Sequence, residues 1–445
     1  MEDIEKRDGF RSRGGFIVSC IGSSVGMGNI WRFPAMVSLF GGLTFILPYL
    51  FFVVLIALTG VIAEFALGRA AGTGPVGAFG LCTKLRYGNE RVGRTIGLIP
   101  IVGSLALAIG YTCVMAWIFD YTFMAFDGQL ISMGQDLGAI GGLFDSIACA
   151  GGANIWIVVA ILAAFGILVF GVSKGIEKAN SVMMPVLFVL FICLGIYIST
   201  LPGAMEGYRY IFTIDESIIS NPLVWIFAFG QAFFSLSVAG NGSVIYGSYL
   251  KKDASILYSA GVVAFFDTSA AMLAAMVIIP AMAAGGATLT GGGPGLMFVY
   301  LVNVFNGMPL GQLIGIVFFV CVLFAGLSSI INLYEAPIEY VQQRFRSSRA
   351  VSTGAVLAVG CAVALCIQAV VSPWMDAVSI YICPLGALLA GTMFFWVAGR
   401  EFVEREVHEG AGRRLGRWFF PLGKYVYCSL TLVALVAGAL LGGIG

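Results

Sequence analysis

Eleven runs of apolar residues, each long enough to cross a bilayer, leave this chain few folds to choose from. They lie at about 14–38, 41–68, 92–125, 154–173, 176–201, 222–249, 256–284, 309–342, 351–371, 374–399 and 419–443. A hydrocarbon core of about 30 Å takes roughly 20 residues of helix to span. Within such runs the α-helix satisfies every backbone N–H and C=O inside its own segment, so an all-α membrane protein is expected. Composition agrees, with 59% apolar and only 11% charged residues, where soluble domains carry about 25% charged. One transmembrane domain over 1–445 is expected, with no soluble domain and no low-complexity tail.

Charge then sorts the loops. Lys6, Arg7, Arg11 and Arg13 fall on one side, with Lys84, Arg86, Arg91 and Arg94. Lys174, Lys178, Lys251, Lys252, Arg344, Arg346, Arg349 and the basic run from Arg400 to Lys424 share that side. The opposite loops hold Asp127, Asp136, Asp145, Glu206, Asp215 and Glu216, with Arg209 and Arg32 as their cations. The positive-inside rule puts the N-terminus in the cytoplasm, and an odd number of spans puts the C-terminus outside. Met1 to Gly15 is charged and does not read as a cleavable signal peptide. The segment 75–88 is expected to lie as a helix along the cytoplasmic face, and 285–297 to form a flexible outer connector. The ten cysteines contain no CxxC pair and read as small hydrophobes, Cys149 alone falling in a polar loop. The net charge of +1 gives no reason to expect nucleic acid as a partner.

Two spans are polar in the middle. Span 1 carries Gly22-Ser23-Ser24-Val25-Gly26-Met27-Gly28-Asn29, and span 6 carries Ser235-Leu236-Ser237-Val238-Ala239-Gly240-Asn241-Gly242. Either alone is as well explained by small residues packing helices closely. Together they take matching positions if five spans are repeated once, repeat one at about 14–201 and repeat two at about 222–399, with 419–443 appended. Interrupted helices at matching positions of two repeats point to a transporter's midplane binding site. Freed carbonyls there bind cations, and freed N–H groups receive a carboxylate. That chemistry suits a zwitterion travelling with sodium.

Several segments closely resemble the neurotransmitter:sodium symporter family. They are Arg13-Gly14-Gly15-Phe16, Gly26-Met27-Gly28-Asn29-Ile30-Trp31-Arg32-Phe33-Pro34, Pro48-Tyr49, Gly230 to Ser237, and Phe324 to Ser329. The resemblance runs over nearly the whole chain and implies the LeuT fold, a five-plus-five inverted repeat with broken helices 1 and 6. The eleventh span, in place of twelve in all, matches bacterial members and implies a bacterial inner membrane.

The resemblance also implies two sodium ions and no organic cofactor. Sodium 1 would be held by the Ser24 carbonyl, Asn29, Ser235 and Asp267 with the substrate carboxylate. Sodium 2 would be held by carbonyls of Gly22, Val25 and Ala325 and the hydroxyls of Ser328 and Ser329. Hard cations prefer such oxygen donors. Asp267 interrupts an apolar stretch, and a lone acid inside a membrane is functional by default. As a fixed negative charge it would make chloride unnecessary. Glu64 is expected to brace the helix breaks through backbone N–H groups.

Gly26 stands where monoamine-carrying relatives have Asp, so an amino acid with its own carboxylate is the implied cargo. Ser23, Ser24, Gly26 and Gly28 would surround it, Tyr111 would bond its carboxylate, and Phe234 would lid the site. Its side chain would meet Met27, Leu107, Ser237, Gly240, Ser329 and Leu333. Glycine at 240 leaves room for a large hydrophobic or aromatic amino acid, whereas Ser23, Ser237 and Asn241 keep a polar or N-methylated cargo open. Arg32 and Asp376 would form the outer gate. At the inner gate Arg7 matches the family, Phe10 replaces its usual Trp, and 339–344 offers no clear acidic partner. Gly175 and Pro185, with nine residues between them, would permit span 5 to unwind. A channel, a sensor and an enzyme are the rival classes. The one histidine, His408, lies in a polar loop away from any nucleophile, which counts against an enzyme.

Overall fold

The computed structural model describes residues 9–238, 241–286, 294–410 and 414–443, and among these the secondary structure is entirely helical. Seven helical stretches are long and apolar enough to cross a membrane: Leu43–Ala71, Arg91–Asp127, Val172–Ser199, Ile256–Ala284, Gly311–Phe345, Arg349–Val397 and Phe419–Leu441. The 49 residues of Arg349–Val397 would reach roughly 70 Å as one straight helix, more than twice a bilayer core. A 3-10 turn at Gln368–Val370 divides them, close to the boundary between expected spans 9 and 10. Asn154–Leu168 is shorter, at 15 residues.

Local chemistry sets the ends. Ser12 caps the first helix by accepting from Gly15 N at 2.9 Å, and Asn221 caps the sixth span ahead of Pro222. Gly41, Gly72 and Gly88 end their helices in the left-handed region. Pro75–Tyr87 is a helix, as its sequence leads one to expect. Two further helices lie between spans: Leu137–Ala148 and Leu296–Asn306. The second corrects the expectation of a connector running to 297. Residues 287–293 of that connector lie outside the described residues.

Both expected breaks are present. Span 1 is helical over Arg13–Ser24 and resumes at Gly28–Arg32 and Phe33–Phe40, with Val25 extended at ψ 97°. Span 6 is helical over Pro222–Ser235 and Gly242–Gly247. The described residues flanking its break include Ser237 at φ 56° and Asn241 at φ 52°, a conformation L-residues adopt at a cost. Span 5, by contrast, is helical from Val172 to Ser199, straight through Pro185. Its first turn, which holds Gly175, is π-helical, so the unwinding that the Gly175–Pro185 spacing permits is not present in this conformation.

Candidate functional site

The two breaks meet at one small cavity. Its wall on span 1 is Ser23, Ser24, Gly26, Gly28 and Asn29, and on span 6 it is Phe234, Ser235, Ser237 and Gly242. Leu107 and Tyr111 come from span 3, and Ser329, Asn332 and Leu333 from span 8. Twelve of the expected residues are thus brought together, with Gly242 and Asn332 added. Met27 is buried and lines the space on the far side of Phe234 and Tyr111, not the cavity itself. Asn241 is also absent from the wall: its amide lies against span 10, where a Cβ on Gly386 would be 3.1 Å from Nδ2. Its expected contact with the cargo is not seen among the described residues, and both its amide atoms lack a hydrogen-bond partner. Gly240 lies outside the described residues.

One end of the cavity is built around Asp267, fully buried in span 7. Asn29 Nδ2 donates to its Oδ1 at 2.8 Å and lies 3.1 Å from its carbonyl. Ser235 Oγ donates to its Oδ2 at 2.8 Å. Asn29 Nδ2 also lies 3.1 Å from Ser235 Oγ, and Asn29 Oδ1 accepts from Gly26 N at 3.1 Å. A carboxylate, an amide and a hydroxyl from three helices are therefore gathered in one hydrogen-bonded group beside the break. Oxygen donors of this kind suit a hard monovalent cation better than a transition metal. Ser24 stands next to them, its own hydroxyl donating to Ile21 O at 3.1 Å.

A second group joins spans 1 and 8. The Ala325 carbonyl accepts from both Ser328 Oγ at 2.9 Å and Ser329 Oγ at 3.0 Å. Across from them, a Cβ on Gly22 would come 3.3 Å from Ser328 Cβ, and one on Gly26 would overlap Ser329 Oγ. Val25, fully buried, lies between these glycines on the extended turn. Small residues on span 1 are what let span 8 bring its hydroxyls this close.

Phe234 and Tyr111 separate the cavity from an outer vestibule, also lined by Trp31, Arg32, Met375 and Asp376. Arg32 and Asp376 both face this space. Among the described residues they are not ion-paired; the Arg32 guanidinium instead lies 4.8 Å over the Phe234 ring. The cavity has a volume of about 40 Å³ and the vestibule about 260 Å³.

On the face with the basic loops, Phe10 packs edge-on against Phe16, Tyr246 and Tyr249 at 5.3, 5.7 and 6.1 Å. Arg7 lies outside the described residues. Buried Glu335 binds Arg349 through both oxygens, at 2.9 and 2.6 Å, and accepts from Tyr249 OH at 2.7 Å. This acidic anchor lies one turn before the stretch that offered none in sequence. Glu64 is fully buried, yet neither carboxylate oxygen has a hydrogen-bond partner, so the expected bracing of the breaks is not seen among the described residues.

Sequence reasoning passed over several residues that the structure places here. Gln231 Nε2 donates to Gly28 O at 3.0 Å, tying span 6 to the break in span 1. Tyr49 OH lies 3.4 Å from Ser235 Oγ. Asn332 follows Ser329 by three residues on the same helical face, and that spacing was the available signal.

Comparison with known proteins agrees with this arrangement. The model of the sodium:neurotransmitter symporter family matches residues 7–133 and 137–440. An uncharacterized sodium-dependent transporter of Methanocaldococcus jannaschii is 30% identical, covering 93% of this chain and 87% of its own length. One from Bacillus subtilis is 32% identical, over 73% of this chain and 70% of its own. The crystal structure of MhsT in complex with L-phenylalanine superposes with a TM-score of 0.85 at 33% identity, covering 97% of this chain and 99% of that one. This chain is a multi-pass membrane protein with the LeuT fold, and it belongs to the sodium:neurotransmitter symporter family, whose members are sodium-dependent secondary transporters and not enzymes.

Proposed function

We propose that this chain carries large hydrophobic or aromatic amino acids inward by alternating access, coupled to two sodium ions and independent of chloride. The observation that carries the reading is the Asn29–Ser235–Asp267 group at one end of a cavity bounded by both helix breaks. The Asp267 carboxylate supplies the fixed negative charge beside sodium 1, and Ser24, Asn29 and Ser235 supply neutral oxygens. Sodium 2 falls to Gly22, Val25, Ala325, Ser328 and Ser329, and its arrival would draw the two serine hydroxyls off the Ala325 carbonyl. The substrate carboxylate lies by Gly26 and Tyr111, and Phe234 closes over it.

Leu107 and Leu333 give the cavity wall its aliphatic surface. Burying apolar surface there contributes ~25 cal/mol per Å². A likeness to a protein solved with phenylalanine supports a large cargo. At about 40 Å³ the cavity holds no large side chain as it stands, so such a cargo enters with movement of the Phe234 lid. A two-sided carrier of this kind sits in the bacterial inner membrane with its basic loops inside.

The test is uptake into proteoliposomes under an imposed sodium gradient. Leucine, methionine, phenylalanine and tryptophan should compete better than glycine and alanine, and uptake should collapse with the gradient. Gly240→Phe should lose the large substrates and keep the small ones. Downhill flux of amino acid at the same rate without sodium would rule the reading out in favour of a channel.

A further inference from the structure

We infer that Asn332 reads a polar group at the far end of the cargo's side chain, so that the preferred substrate is a large amino acid with a hydrogen-bonding terminus, such as tryptophan or tyrosine. The inference rests on the proposed function and narrows its substrate class. Asn332 is 2% exposed and lines the cavity, as do Leu107 and Leu333. Its Oδ1 has no hydrogen-bond partner. A Cβ on Gly242 would lie 2.6 Å from its Nδ2. Glycine there is what admits the amide between spans 6 and 8.

The hydroxyl protons nearby are already committed. Ser237 Oγ donates to Ser23 O at 2.7 Å, and Ser329 Oγ donates to Ala325 O at 3.0 Å. Of the two side-chain amides in this wall, Asn29 Oδ1 accepts from Gly26 N, whereas Asn332 Oδ1 has no partner. A buried amide left unpaired is costly, whereas one that finds a partner is not. A purely apolar side chain would leave the amide oxygen unpaired. An indole N–H or a phenolic O–H would donate to it. Leu107 and Leu333 would meanwhile cover the ring.

Binding competition in sodium, with detergent-purified protein, separates the outcomes. Wild type should bind tryptophan about ten-fold tighter than β-(3-benzothienyl)alanine, whose ring keeps the indole's shape with sulfur in place of N–H, and tyrosine tighter than phenylalanine by a similar factor. Asn332→Leu should bring both ratios near one. The ratios are the readout, so a general weakening of the variant does not imitate the effect, and the wild-type pair decides the matter if the variant fails to fold. Ratios near one in wild type, or unchanged in Asn332→Leu, overturn the inference while leaving large-amino-acid transport standing. If no amino acid binds in sodium, the proposed function and this inference fall together.

Discussion

Glu177 reaches the start of the first helix because residue 15 is glycine. Its Oε2 accepts from the Arg11 backbone N–H at 2.7 Å and its Oε1 from Ser12 Oγ at 3.3 Å. Any Cβ on Gly15 would overlap that carboxylate. One face further along, Gly22 repeats the arrangement with Asn180, whose oxygen would overlap a Cβ at 22 and has no hydrogen-bond partner. Two glycines seven apart on span 1 thus meet two polar side chains three apart on span 5. In this ladder Glu177 bonds, and Asn180 packs against, the half of span 1 that leads up to the candidate sodium groups.

Breaking the ladder should loosen that half helix. Hydrogen bonds to a charged group contribute about 1.5–3 kcal/mol, and Glu177→Ala removes two. In a variant whose remaining cysteine is Cys20, buried at 3% on this half, alkylation should speed several-fold when Glu177 is replaced. Glu177→Gln, which keeps the shape, should fall between. Equal labelling rates in all three proteins would mean that the ladder does not hold span 1 closed.

Asp267 carries the prediction about anions. Two unit charges ~4 Å apart interact by about 4 kcal/mol at an effective dielectric near 20, enough for a fixed carboxylate to replace a bound anion beside sodium. Wild-type uptake should survive exchange of chloride for gluconate. Asp267→Asn should lose most uptake in gluconate and regain part of it in chloride. A steep fall of wild-type uptake in gluconate would contradict the assignment.

Arg69 makes a different kind of tie. It is 5% exposed and spends its guanidinium on carbonyls: Ala254 at 2.9 Å, Glu409 at 3.0 Å, and Glu406. The end of span 2, the connection between spans 6 and 7, and the helix Arg400–His408 are joined at one residue. An ammonium cannot reproduce this planar fork. Arg69→Lys should cost about 1–3 kcal/mol, and Arg69→Ala more, through carbonyls left unpaired. Thermal unfolding measures the loss, and faster tryptic cleavage at Arg414 or Arg417 would locate it.

Features that depend on residue type at one place in the chain were readable from sequence. The breaks showed as Gly, Ser and Asn crowded into mid-span, and Asp267 as an acid among apolar neighbours. Features that depend on a partner far along the chain were not. Glu177 reads as one more charge in a basic loop until Gly15 is seen beneath it. Asn332 reads as a packing residue until Gly242 is placed opposite. The helices Leu137–Ala148 and Leu296–Asn306 are held in part by Phe144 stacked on Phe298 at 5.2 Å, a contact no local pattern announces. Asn241 belongs with them: its place in the break was legible, but the approach of its amide to span 10 was not.

Sidedness follows from the loop charges and can be tested at chosen positions. Cys82 is the natural probe in the helix Pro75–Tyr87, but it is fully buried, so its protection would say nothing about which side it faces. Arg86 on the same helix and Asp136 in the acidic loops are both exposed. In a protein whose other cysteines have been replaced, Asp136→Cys should react with a membrane-impermeant maleimide on intact cells. Arg86→Cys should react only after permeabilisation, because its loop carries the lysines and arginines retained inside. A tag joined after Gly445 should behave like position 136, since an odd number of spans separates it from the basic N-terminus. Labelling of position 86 but not 136 on intact cells would invert the topology, while a tag that follows position 86 would leave the loops as assigned and remove one span from the count.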